Sequence, residues 1–223
     1  ITNYITFDNS KLAIEKYVKK KLLIVQSPSS SLVCDMLNVC KDEIVIDACA
    51  SPGGKARCIL ENIDNSNVFH MNDISSKKYL QLNNDFKNTV SSITCKDASH
   101  EKFPLADKIL LDVPCSATGT IQKNPDIKWK KHDLEKLNIL QLKILKNMSK
   151  FIKDKGVIVY STCSINKCEN FKIIDMFLNE NKDFAIDDAS NFIDKKYVLN
   201  KCLSIFPPKH NLEGMFAARL VKL

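Results

Sequence analysis

Five short apolar runs, Glu43–Cys49, Asn67–Asn72, Ser92–Cys95, Asp107–Val113 and Gly156–Ser161, are separated by stretches whose apolar residues recur at helical spacing. Strand-length runs that alternate with helical periodicity predict a parallel sheet wrapped by helices on both faces. Ser27 to Leu37 reads as an amphipathic helix leading into this pattern. The clearest helix is predicted over Asp133 to Lys153, where Leu134, Leu137, Leu140, Leu145, Met148 and Ile152 fall on one side and lysines on the other. A second is predicted over Cys168 to Leu178, and Gly214 to Leu223 alternates in the manner of an edge strand. No internal repeat or linker interrupts the order.

A chain of 223 residues, 44% hydrophobic and 26% charged, has the size and composition of one globular domain. Its apolar runs stop well short of the ~20 residues a membrane span requires. The sequence opens at Ile1 without a charged-then-apolar leader, which gives the expectation of a portion excised from a longer protein. Nine cysteines without a CxxC pair suit neither a disulfide framework nor a zinc site, so an intracellular, reducing compartment is expected and no metal. Cys34, Cys40, Cys58, Cys95, Cys168 and Cys202 read as small buried hydrophobes. The formal charge of +7 comes almost wholly from lysine, Arg57 and Arg219 being the only arginines. An excess of this kind favours a polyanionic partner, though a modest surplus of lysine is more often a solvated face. The densest run is Lys19, Lys20 and Lys21.

The segment Ile44-Val-Ile-Asp-Ala-Cys-Ala-Ser-Pro-Gly-Gly-Lys55 is an apolar strand entering a tight Gly-Gly turn and then a helix. In open parallel sheets such turns lie at the carboxyl edge, where ligands bind. Glycines at 53 and 54 let the backbone approach a ligand closely. Asp73 follows the second strand twenty residues beyond Gly53, the spacing at which an acid grips ribose hydroxyls. Asp97 after the third strand and Asp112 at the end of the fourth belong to the same edge. Phosphate-loop and dinucleotide fingerprints are absent, which disfavours nucleotide hydrolysis and hydride transfer and leaves S-adenosylmethionine as the better fit.

Two polar turns past strands carry the chemistry: Leu111-Asp-Val-Pro-Cys-Ser-Ala-Thr-Gly-Thr120, followed by Asn124-Pro-Asp-Ile-Lys-Trp129, and Val159-Tyr-Ser-Thr-Cys-Ser-Ile165. Together with Asp47-Ala-Cys-Ala-Ser-Pro-Gly-Gly-Lys55 and Asn72-Asp-Ile-Ser75, they resemble the Nol–Nop–Sun family of RNA cytosine-5 methyltransferases. The resemblance runs from Val25-Gln-Ser-Pro-Ser-Ser30 to Gly214-Met-Phe-Ala217. It implies a Rossmann-like α/β methyltransferase domain over residues 41–223, with a mostly parallel seven-stranded doubly wound sheet and a lead-in segment over 1–40. It also implies that Cys49, Ala50, Ser51, Pro52, Gly53, Gly54 and Lys55 hold the methionine part of S-adenosylmethionine, Asp73 its ribose and Asp97 the adenine side. Asp112 would stand between cofactor and target base with Lys55 near the base. Cys163 would be the nucleophile, and Cys115 would assist product release.

Carbon 5 of cytosine is a poor nucleophile, so a thiolate that adds to carbon 6 creates the reactivity methyl transfer needs. Charge developing on the ring is a task for Asp112 and Lys55. The implied partner is RNA, ribosomal above all, with no membrane and an RNA-recognition domain outside this chain, which is expected to be monomeric. Three readings stay open beside it: a transfer-RNA enzyme, a DNA cytosine-5 enzyme using Cys115 of the Pro-Cys motif, and a non-catalytic ribosome-assembly factor. Ser51, Ala56, Gln122-Lys-Asn124 and Met215 depart from the family pattern. His210 reads as structural, and Trp129 as either a base-stacking aromatic or a loop anchor.

Overall fold

A computed structural model describes residue 11, residues 14–18 and residues 25–223; Lys19 to Lys21 lie outside them. Helix α1 (Pro28–Leu37) precedes strand β1 (Ile44–Asp47), and then α2 (Gly54–Leu60), β2 (Val68–Asn72), α3 (Ser76–Phe86), β3 (Ser92–Thr94) and β4 (Ala106–Asp112) follow. After a long loop come α4 (Leu134–Met148), β5 (Ile152–Thr162), α5 (Phe171–Glu180), β6 (Phe184–Asp187), β7 (Val198–Leu199), β8 (Cys202–Ile205) and β9 (Met215–Lys222).

The strands form one sheet in the order β3-β2-β1-β4-β5-β9-β8-β7, with β6 also on β9. The first five pair in parallel, and the pairs involving β6 to β9 are antiparallel. Chain direction along the sheet reverses between β1 and β4, which makes the carboxyl ends of those two strands the natural crevice for a ligand. The period-2 alternation of the strands feeds two cores. Val45, Val157 and Val159 pack under α1, α2 and α3, while Ile46, Ile158 and Tyr160 pack under α4 and α5. The mostly parallel doubly wound sheet is as the sequence reads.

Four details differ from the sequence expectation. The sheet holds nine strands among the described residues rather than seven, because β6 and β8 lie end to end along β9 and the two-residue β7 adds a lane. Strand β9 is interior, not an edge. Its apparent alternation comes from Arg219, which is buried, donates to the Met36 carbonyl at 2.8 Å and pairs with Asp187. The long helix ends at Met148, since Ile152 pairs with Ala106 and Lys153 with Asp107; the charged start of β5 had masked that strand. Finally, Cys40 and Cys95 are exposed, whereas Cys34, Cys58 and Cys202 are buried as expected.

Candidate active site

Asp47, the last residue of β1, opens a loop that runs through Cys49 to Lys55 in the first turn of α2. The loop is pinned to the sheet by Ala50 N–H donating to the Asn72 carbonyl at 2.8 Å, and closed on itself by Gly53 N–H donating to the Ala50 carbonyl at 2.7 Å. Gly53 has φ +98°, and a Cβ there would stand 2.5 Å from the Phe86 ring, so glycine is required twice over. A Cβ on Gly54 would meet only the Gln26 amide, at 3.9 Å, which leaves that backbone open to a ligand. Gln26, from the lead-in segment, donates to the Gly54 carbonyl at 3.0 Å.

The acids of the sheet edge are not equivalent. Asp47 is buried, its Oδ1 has no hydrogen-bond partner among the described residues, and burial with the nearby Asp112 charge pushes its carboxyl up to about 7. Burial beside the same carboxylates also drives the Cys49 thiol far up, so it stays protonated. Asp73 is nearly closed off, accepts from Ser75 N–H at 3.0 Å and sits 3.6 Å from the Lys78 ammonium. Asp97, three strands away from β4, accepts from Ser99 N–H at 2.8 Å, and its carboxyl lies below the usual range because those Ser99 hydrogen bonds outweigh its partial burial. Four strand spacings separate Asp97 from Cys163, about 19 Å along the edge.

Lys55 and Asp112 meet across the β1–β4 crevice, with Nζ 2.7 Å from Oδ2. Asp112 Oδ1 takes the Ser161 hydroxyl at 2.9 Å, so each carboxylate oxygen has a donor. Burial opposes the Lys55 charge, but Asp112 overcomes it and the ammonium is held above its ordinary value.

Beyond β4 and β5, Cys115 and Cys163 face each other with 3.4 Å between sulfurs. The two thiols separate electrostatically. Accepting a hydrogen bond from Cys115 lowers Cys163, with the Lys55 charge adding to this against burial and Asp112. Giving that bond raises Cys115, and burial raises it further. Within the pair, Cys163 is therefore the more acidic thiol.

Glu169, a residue the sequence reading did not single out, fixes this geometry. It has no exposed surface. Its Oε1 accepts from Ser116 N–H at 2.8 Å and Gln141 at 3.1 Å; its Oε2 accepts from the Ser116 and Ser164 hydroxyls, each at 2.5 Å. Ser116 and Ser164 are the residues next to the two cysteines, so one carboxylate ties both loops. These bonds hold Glu169 ionised against the opposing effect of burial. Asn72 does similar work at the other end, its amide donating to the Ala48 and Lys96 carbonyls and accepting from Thr94 and Lys96. His210 is structural, as expected: its Nδ1 accepts from Phe206 N–H at 2.9 Å.

Residues 34–221 match the family described as 16S rRNA methyltransferase RsmB/F. The chain is 35% identical over 209 residues to ribosomal RNA small subunit methyltransferase B of Shewanella oneidensis, covering 89% of this chain and 47% of that protein. It is 37% identical over 208 residues to the protein of the same name in Vibrio cholerae, covering 89% and 46%. Among solved structures it resembles NSun6 from Pyrococcus horikoshii, crystallised with SFG, at 26% identity and TM-score 0.80, covering 98% of this chain and 56% of that one. The chain thus spans about half the length of the curated relatives it matches.

Proposed function

The chain belongs to the 16S rRNA methyltransferase RsmB/F family, and from that premise we propose that it is the catalytic part of an RNA cytosine-5 methyltransferase that uses S-adenosylmethionine and acts on ribosomal RNA. The observation that carries the reading is the Cys115–Cys163 pair, 3.4 Å apart, beside the Lys55–Asp112 ion pair. We assign residues 41–223 to the catalytic domain and 1–40 to a lead-in whose helix α1 packs into the same core. RNA recognition is assigned to the portion of the relatives that this chain does not span. The working unit is a monomer in an intracellular compartment, and no described helix is long and apolar enough to cross a membrane.

The residues of the sheet edge fit the cofactor. Asp47, Asp73 and Asp112 outnumber Lys55 and Lys78, and Asp47 presents an unpartnered carboxyl oxygen, so the crevice suits a ligand with net positive charge. The open backbone at Gly54 belongs to the Cys49–Lys55 loop assigned to the methionine part, with Asp73 assigned to the ribose and Asp97 to the adenine side. When bound, S-adenosylmethionine supplies an electrophilic methyl group on a cationic sulfur.

The thiolate of Cys163 forms a bond to carbon 6 of cytosine, and the displaced electron pair makes carbon 5 nucleophilic. The Lys55 ammonium, steadied by Asp112, meets the negative charge that develops on the ring. Once Cys163 is a thioether it no longer accepts from Cys115, which removes the largest effect raising that thiol while burial remains. When carbon 5 carries the methyl group that the cofactor would supply, Cys115, having given its own proton to water, takes the proton from carbon 5; the carbon 5–carbon 6 double bond re-forms, and the sulfur of Cys163 leaves as thiolate. The asymmetry of the two thiols favours this order over a Cys115 nucleophile.

Incubation with labelled S-adenosylmethionine and ribosomal RNA tests the reading. Cys163→Ala abolishes label transfer, and Cys115→Ala accumulates a protein–RNA adduct that survives denaturing electrophoresis. An adduct formed by Cys163→Ala and missing from Cys115→Ala reverses the assignment, and an active Cys163→Ala overturns it.

A further inference from the structure

The loop between Cys115 and α4 ends in a turn, Pro125–Trp129, that carries the chain's sole tryptophan. Its indole is 86% exposed, the most of any large apolar side chain among the described residues. Anchoring is done by its neighbour: Ile127 is buried, with its N–H donating to the Asn124 carbonyl at 3.1 Å and its carbonyl accepting from Lys130 N–H at 3.2 Å. Trp129 is therefore presented rather than packed. The start of the loop is bound to the nucleophile's own backbone, Gly119 N–H donating to the Cys163 carbonyl at 2.9 Å. A close approach between Gly119 and Gly214 backbones, where any Cβ would collide, holds it there.

The surroundings of the indole are basic. Lys128, Lys130, Lys131 and His132 are all exposed. Lys130 is neutralised by Asp126 at 2.7 Å, while Lys128 and Lys131 have no carboxylate partner among the described residues. An exposed flat aromatic flanked in sequence by exposed lysines without carboxylate partners is complementary to a nucleobase between phosphates, and the combination recurs where single strands are bound without duplex pairing.

We propose that Trp129 is a stacking platform for an unpaired nucleobase flanking the target cytosine, with Lys128 and Lys131 on the adjoining phosphates. The flanking position rests on the reaction proposed above; the stacking itself does not. Because Trp129 is the only tryptophan, intrinsic fluorescence reports on it alone. A short labelled oligoadenylate, which contains no cytosine, is titrated into the full chain while indole emission and oligonucleotide anisotropy are followed. A matched chain of abasic ribose phosphates serves as control.

Oligoadenylate is expected to quench the emission in step with the anisotropy change, whereas the abasic chain binds more weakly and leaves emission unchanged. Trp129→Ala weakens oligoadenylate binding by about 5- to 150-fold, the range found for loss of one base–aromatic stack. Trp129→Phe retains most of the affinity, and added salt weakens the wild type and both variants alike. Binding without quenching, an unaltered affinity in Trp129→Ala, or no binding of oligoadenylate overturns the proposal and assigns the exposed indole to a protein partner instead. Quenching together with absent methyl transfer leaves the platform standing and removes the reaction; methyl transfer without quenching does the reverse.

Discussion

Glu169→Ala removes the carboxylate that ties the two cysteine loops together, and its cost follows from which donors are stranded. The Ser116 and Ser164 hydroxyls lie 3.1 Å apart and can turn to each other. Gln141 keeps its bond to the Pro114 carbonyl at 2.9 Å. The Ser116 N–H has no substitute, because Ser116 is 1% exposed. A buried donor left unmade costs about 1–3 kcal/mol, and the one lost buried methylene adds about 0.8 kcal/mol. The variant should be destabilised by about 2–4 kcal/mol, which for a domain of this size lowers the melting temperature by about 4–16 °C. Glu169→Gln keeps an acceptor for the Ser116 N–H and offers an amide to hydroxyls that can accept, so it should lose only about 1 kcal/mol. Calorimetry gives the stability, and mass-spectrometric alkylation of the Cys163 peptide across pH gives the thiol titration. In the folded Gln variant the thiol pair loosens and Cys163 titrates higher than in wild type. A Glu169→Ala protein that melts with the wild type, or a Gln variant whose Cys163 titration is unmoved, refutes the idea that this carboxylate positions the thiols.

The carboxyl of Asp47 stands at about 7 in the folded chain against an ordinary 3.8, so the native state binds the proton more tightly than the unfolded state does. Stability is then greatest at the acid end of that window and falls as pH rises through it, by about 4 kcal/mol for three units; Asp47→Asn should flatten the slope in denaturant titrations between pH 4 and 8, and an unchanged slope would sink the claim. Cys115→Ala removes the S–H donor to Cys163 and should slow alkylation of Cys163 at neutral pH by about ten-fold, the worth of one hydrogen bond to a charged group. Equal or faster alkylation would show that Cys163 owes its charge to Lys55 instead. Gly53→Ala should cost at least about 1–2 kcal/mol for left-handed backbone alone, before the clash with Phe86; a melting curve matching wild type would contradict that.

The parallel half of the fold was legible because β1, β4 and β5 are buried on both faces and read as continuous apolar runs, each ending at a polar turn. The antiparallel half was not, because its signals are tertiary. Arg219 looks like a solvent-facing residue until Asp187, the Met36 carbonyl and the Phe192 ring, 4.2 Å from its guanidinium carbon, are brought around it. Ile152 and Lys153 look like the end of a charged helix, yet they begin a strand, since pairing of Ile152 with Ala106 outweighs local propensity.

The site divides in the same way, and the division has a physical origin. Lys55, Asp73, Asp112, Cys115 and Cys163 each stand at a strand end or helix start, where the local pattern alone marks an edge position, and the fold gathers Lys55, Asp112 and the cysteines. Glu169 lies 53 residues from Ser116 and enters the site from the turn before α5, where an acid has the ordinary role of a helix-start charge. Asp47 was visible as a motif letter, but its altered acidity depends on Asp112 sixty-five positions away and on a lid of core side chains. What sequence order conveys is which groups reach the carboxyl edge. Which thiol is the more acidic is decided across that edge: the contact with Cys115 and the Lys55 charge lower Cys163, while the same contact and burial raise Cys115.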